Sequence, residues 1–195
     1  MNDSKLGNPA VVGLAGFGMT TLILQFHNLG LCGLGPVVWL GLVFGGTAQF
    51  AAGLMEFKKG NNFGFCAFTG YGAFWVSLVL MLIFGKSPKI VQACPILAFD
   101  TKDLGFYLAG WGAFTFLLFM AAMRKNTVSA LIFLTLFLGF TGLSIADFTG
   151  IRMFKTVAAV DLIICALLAW YEMVLIYMKE CGVNLPLGRP WITGR

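Results

Sequence analysis

Residues 7–21 read GNPAVVGLAGFGMTT: an Asn-Pro pair opens a long apolar run that carries glycines at 13, 16 and 18. In water such a run makes a poor helix, since proline and glycine cost roughly 3 and 1 kcal/mol against alanine in a helix interior. The pattern fits a helix in another solvent. Proline is well placed at a first helical position, where its missing N–H costs nothing, and Asn8 before it is a favoured N-cap. Asn8-Pro9 therefore starts a helix sharply, leaving a ring of free N–H groups that attracts anions. The glycines behind it keep the helix thin enough for a neighbour to approach.

Working outward, the same character holds along all 195 residues: 59% are hydrophobic, only 11% are charged, and 20 are phenylalanine. Soluble domains carry about 25% charged residues, so the surface of this chain is matched to lipid. Apolar runs fall near 9–27, 37–57, 65–85, 105–123, 127–146 and 157–178. Each approaches the roughly 20 residues needed to cross the hydrocarbon core as a helix. The short alternating strands of a membrane barrel are missing. The reading is an all-α integral membrane protein of a single domain over 1–195. It has six transmembrane helices in one bundle per protomer, with short tails at 1–8 and 179–195.

Basic residues orient it. Lys5, Lys58, Lys59, Arg124, Lys125, Lys179, Arg189 and Arg195 share one side, against Lys86, Lys89, Lys102, Arg152 and Lys155 on the other. The positive-inside rule puts both termini in the cytoplasm of a multi-pass cell-membrane protein. The net charge of +5 belongs to these flanks and implies no nucleic acid partner. Five cysteines in no metal-binding spacing predict buried small hydrophobes, with one bridge, Cys32–Cys94, left open on the outer side.

An enzyme finds little support. The chain has one histidine, His27, and neither a nucleophile elbow nor a phosphate loop. No cofactor is expected. His27, in QFHNLG at the outer end of the first span, reads as an interfacial or helix-end hydrogen-bonding residue before a proton-handling one. Gly41, Gly45, Gly105 and Ala109 lie in small-residue patterns that let helices, or subunits, approach closely.

Longer stretches carry a resemblance. NPAVVGLAGFGMTT, then HNLG, then FGGTAQFAAGLMEFKKGNNFGFCAFTGYGAFW at 44–75 resemble the corresponding motifs of the acetate uptake transporter family. That family comprises the bacterial succinate–acetate permeases and their fungal and archaeal relatives. Val11 replaces the family's second proline, Phe44 its tyrosine, and AAVDLIICALLAWYEM its last-span Gly-Trp. The resemblance implies a homohexamer in which each protomer carries acetate, and often succinate or other short carboxylates. It implies a constriction built from Phe17, Tyr71 and Leu136, with a tuning position at Ala169. At ~1.5 Å per residue these four lie about 13, 9, 16 and 15 Å from the cytoplasmic ends of their spans, one shared slab.

No lysine or arginine lies mid-span, so a carboxylate would be met by weaker donors. The start of the first helix at Asn8 and Pro9, the hydroxyls of Thr20, Thr21 and Tyr71, and the amide of Gln49 are the candidates. Thr20 and Gln49 serve equally as interhelical hydrogen-bonding residues. Asp161 and Glu172 are ionisable residues within a span and share a helix face, about 20° apart. Asp161 reads first as an acid in the opening turns of its helix. Glu172 lies deeper, where the resemblance implies an acid one turn later, and is the better candidate for proton coupling. A non-transporting membrane sensor or scaffold subunit is the alternative, and would need a signalling tail.

Overall fold

The computed structural model describes residues 7–193. Six helices are long and apolar enough to cross a membrane: α1 (Ala10–Asn28), α2 (Gly35–Lys58), α3 (Asn62–Gly85), α4 (Thr101–Ala122), α5 (Thr127–Thr149) and α6 (Arg152–Glu180). Consecutive helices pack against each other and α6 packs back onto α1, closing a ring. The start of α1 and the end of α6 share one face of the ring, here the terminal face; the opposite one is the far face.

Short polar caps set the turns. Asn61 accepts from Gly64 N–H at 3.1 Å to start α3, and Asn126 accepts from Ser129 N–H at 2.8 Å to start α5. Asp100 starts α4 with a capping box, its carboxylate accepting from Lys102 and Asp103 while Asp103 accepts from Asp100 N–H. The far-face connection before it holds a short helix, Pro88–Ala93, and Lys86 lies 4.4 Å over the ring of Phe99.

The glycines of α1 each make room for a different neighbour. A Cβ on Gly13 would meet the Phe68 ring of α3, one on Gly16 the Phe44 carbonyl of α2, and one on Gly18 the Trp170 indole of α6. The Phe44 contact falls in an interruption of α2. Residues Val43–Ala48 form a π-helical turn, and Thr47 Oγ1 donates to Leu42 O at 2.7 Å. The inserted residue widens the helix there, and Gly45 lies against Thr20.

Three expectations change. α4 and α6 begin earlier than their apolar runs, at Thr101 and Arg152, because polar residues at the membrane surface still have helical backbones. Asp161 therefore stands nine residues into α6, past its opening turns, and its Oδ2 is buried without a hydrogen-bond partner. All five cysteines are free, so no Cys32–Cys94 bridge forms, and against the buried reading only Cys165 is buried, with Cys66, Cys94 and Cys181 exposed. Residues 181–193 form no loose tail: Leu187 O accepts from Val128 N–H at 3.2 Å, Arg189 O from Thr127 at 2.8 Å, and Pro186 O from Tyr171 at 2.8 Å. This strap lies across the terminal ends of α5 and α6.

Candidate functional site

Inside the ring the described residues line a terminal-side and a far-side cavity. The terminal-side cavity, about 640 Å³, reaches from Asn8, Asn61, Lys125 and Lys179 up to Gln49, with the strap residues Val183, Leu185 and Leu187 along one wall. The far-side cavity, about 180 Å³, is walled by leucines and aromatics, with Thr21, Gln25, His27, Asn28, Asp147 and Lys155 among its polar members. Phe17, Tyr71 and Leu136 line both, and no other described residue does. All three are buried, and the rings of Phe17 and Tyr71 are 5.7 Å apart at a 54° tilt. One side-chain layer from α1, α3 and α5 thus separates the cavities.

A hydroxyl from α4 fixes that layer. Thr115 Oγ1 donates to Trp111 O at 2.7 Å, so its oxygen accepts the Tyr71 hydroxyl proton at 2.9 Å. Tyr71 therefore has no proton to offer a passing carboxylate, contrary to the donor role read from the sequence. Its ring is a wall, held in place by Thr115. Phe114, Trp111 and Phe133 surround the same ring at 5.8 to 6.2 Å.

Gln49 supplies the free donor. It is fully buried, lines the terminal-side cavity, and neither amide atom has a hydrogen-bond partner. Leaving such groups unpaired costs about 1–3 kcal/mol, which a polar solute or water in the cavity would recover. Asn8 also lines this cavity, as the helix-start reading requires. Its Oδ1 accepts from Ala10 N–H at 3.2 Å and from Lys59 at 3.1 Å, while Pro9 already has helical angles of φ −66° and ψ −21° and lines neither cavity. Lys59 in turn stands 3.6 Å from Glu56, whose other oxygen accepts from Asn61.

Glu172 lines the terminal-side cavity and accepts from Ser129 Oγ at 2.7 Å. Asp161, its partner by helical spacing, lines neither cavity, nor do Thr20 and Ala169, both of which are wholly buried. Thr21 lines the far-side cavity, with its hydroxyl unpartnered. Sequence reasoning missed Thr115, Ser129 and Trp75, whose unpartnered indole N–H belongs to a far-side lining residue. A lone hydroxyl in an apolar span is the signal for the first two. It does not say which helix the hydroxyl meets.

A ring of six membrane-crossing helices around two cavities that meet at one apolar layer defines a membrane transport protein for small solutes. The chain belongs to the GPR1/FUN34/yaaH family, whose sequence pattern it matches over residues 1–183. It is 42% identical over 152 residues, 77% of either chain, to the succinate-acetate/proton symporter SatP of Escherichia coli K12. It is 36% identical over 174 residues to the ammonia transport outward protein 2 of Saccharomyces cerevisiae, covering 86% of this chain and 60% of that one. Its fold superimposes on the solved structure of the bacterial acetate channel SatP with a TM-score of 0.86 and 37% identity, covering 94% of this chain and all of the other.

Proposed function

We propose that this chain carries acetate, and other short carboxylates such as succinate, across the cell membrane through a pathway within each protomer. Phe17, Tyr71 and Leu136 form the constriction that sets the size limit. The observation that carries this reading is that these three residues alone, among those described, face both cavities. A carboxylate reaches them past Asn8, Lys125 and Lys179, and the amide of Gln49 meets its charge. Amide and hydroxyl partners hold an anion weakly enough to release it, as turnover requires. The methyl group of acetate fits an apolar layer that rejects large hydrated ions. A sensor or scaffold subunit has no need for two cavities that share one lining layer, which favours transport.

The larger share of basic residues on the terminal side supports a cytoplasmic terminal face. On this reading the six-helix unit is one domain that assembles as a homohexamer, an assembly that the family resemblance supports. As a channel the chain would pass the anion. As a symporter it would need a titrating group on the path, and Glu172 is placed for that. Asp161, outside both cavities, has no contact with the route.

The test is uptake of labelled acetate and succinate into vesicles holding the purified chain, with and without a pH gradient. Leu136→Ala opens the layer by about three carbons. Succinate uptake relative to acetate should rise several-fold in this variant. A purely structural leucine would instead cost about 2–5 kcal/mol of stability and depress both fluxes together. An unchanged ratio in Leu136→Ala, Phe17→Ala and Tyr71→Ala alike would place the size limit elsewhere.

A further inference from the structure

We propose that His27 is the proton-sensing residue of the far-side cavity, its charge setting how strongly that cavity draws carboxylates from the solution it faces. The proposal rests on the carboxylate pathway argued above. It starts from a fixed tautomer. His27 Nδ1 lies 3.1 Å from the carbonyl oxygen of Cys32. A carbonyl only accepts, so Nδ1 carries the hydrogen and the neutral ring leaves Nε2 as an open, basic nitrogen. The turn that presents Cys32 is itself tied down. Gly30 takes φ +79°, which a side chain would resist, and Leu31 N–H donates to Phe26 O at 2.8 Å. The ring is therefore held in place with one nitrogen committed and the other free to take a proton.

The second observation is the charge balance around it. Asp147 of α5 and Lys155 of α6 line the same cavity, and Lys86, at the end of α3, acts electrostatically on Asp147 as well. Of the neutral polar groups nearby, Asn28 Nδ2 donates to Gln25 Oε1 at 2.8 Å, while the Thr21 hydroxyl and the Trp75 indole N–H have no partner. The remaining neighbours are apolar: Leu34 before α2, and Leu104 and Leu108 of α4. Tyr71 forms the floor, with its proton committed to Thr115. With His27 neutral, the lining charges of Lys155 and Asp147 cancel, and Lys86 adds a positive charge from outside the lining. A proton on Nε2 leaves the cavity with a net charge of +1. Within a small cavity with largely apolar walls such a change is felt by an anion that enters it. Histidine is the side chain whose charge changes in the range of ordinary external pH. A proton on His27 thus makes the far-side cavity more strongly anion-attracting.

The chain has a single histidine, so its ring can be observed directly. In the purified protein carrying ¹⁵N-histidine, nuclear magnetic resonance should show the neutral ring protonated at Nδ1. Sodium acetate should raise the titration midpoint relative to sodium chloride of equal ionic strength. Linkage requires this: if the protonated ring improves acetate binding roughly threefold, acetate raises the midpoint by about half a pH unit. Exchange of labelled acetate is then followed in vesicles with equal pH on both sides, so that no gradient drives it, after subtraction of protein-free vesicles. Exchange should rise roughly threefold between about pH 7.5 and pH 5.5. His27→Asn keeps a donor where Nδ1 stands and has no Nε2, and should lose this rise. Asp147→Asn removes the opposing charge and should give the high rate already at neutral pH. Acetate exchange with an unmoved histidine midpoint would overturn the proposal, as would a wild-type pH response in His27→Asn. Absence of protein-dependent acetate exchange at any pH would instead overturn the carboxylate pathway on which it rests.

Discussion

The Tyr71–Thr115 hydrogen bond converts a polar side chain in the layer between the two cavities into a fixed wall. Thr115→Val keeps the shape of that wall and strands a buried hydroxyl, at about 1–3 kcal/mol. Its thermal transition should fall, and its discrimination between acetate and succinate should weaken as the ring gains freedom. Tyr71→Phe combined with Thr115→Val removes both partners and should recover much of the lost stability, a coupling that a double-mutant cycle on purified protein measures. Phe17, Tyr71 and Leu136 were legible in the sequence because their motifs and their depths agreed. Thr115 was not, because a hydrogen bond between two helices leaves no periodic trace in either. Gln49 was legible as a polar residue in a span, but its lack of a partner is a property of the packed ring.

Among the helices, α2 departs most from a plain span. Its π turn brings the Phe44 carbonyl against Gly16, where an added Cβ would stand 2.5 Å from backbone oxygen. Neither backbone can yield without moving its helix, so Gly16→Ala should lower the folded yield and the thermal transition sharply. Gly110→Ala, where nothing lies within 4 Å, should leave the folded protomer nearly unchanged. The start of α4 is sensitive to pH. Backbone donors, Asp103 N–H foremost, hold the exposed Asp100 carboxyl below its usual 3.8. A depressed carboxyl stabilises the fold above that value, and the contribution disappears as pH falls through the lower folded value. Amide exchange at Lys102 and Asp103 should therefore quicken below about pH 4 relative to other helix starts, once corrected for intrinsic rates. Hydropathy located all six helices because each has an apolar centre of membrane length. It missed the starts of α4 and α6, where the backbone is helical but the side chains are polar. It was blind to the π turn, since Gly45-Gly46 reads the same whether it serves packing or an inserted residue.

At the scale of the whole molecule, the small residues divide between two tasks. Gly41, Gly45 and Gly105 are pressed against Val79, Thr20 and Phe148 of the same chain, so they close the ring. Ala109, Gly110 and Ala113 of α4 are exposed, in a stripe shared with Phe106 and Leu117. A bulky change at the two sets should separate folding from assembly. Gly45→Leu should fail to fold, whereas Gly110→Leu should fold and lose subunits, which native mass measurement in mild detergent reads directly. The sequence displayed both sets alike, since spacing says that a face is small and not which neighbour it meets. The two cavities bear on a different quantity, the electrical one. Water entering from both faces would bring bulk potential to either side of the Phe17–Tyr71–Leu136 layer, so the membrane voltage would fall almost wholly across one thickness of side chain. An acetate ion crossing there would exchange about 2.3 kcal/mol with the field for each 100 mV, whereas neutral acetic acid would exchange none. Labelled flux in vesicles clamped with a potassium gradient and an ionophore should thus change steeply with voltage if the anion passes alone. It should stay flat if a proton travels with it.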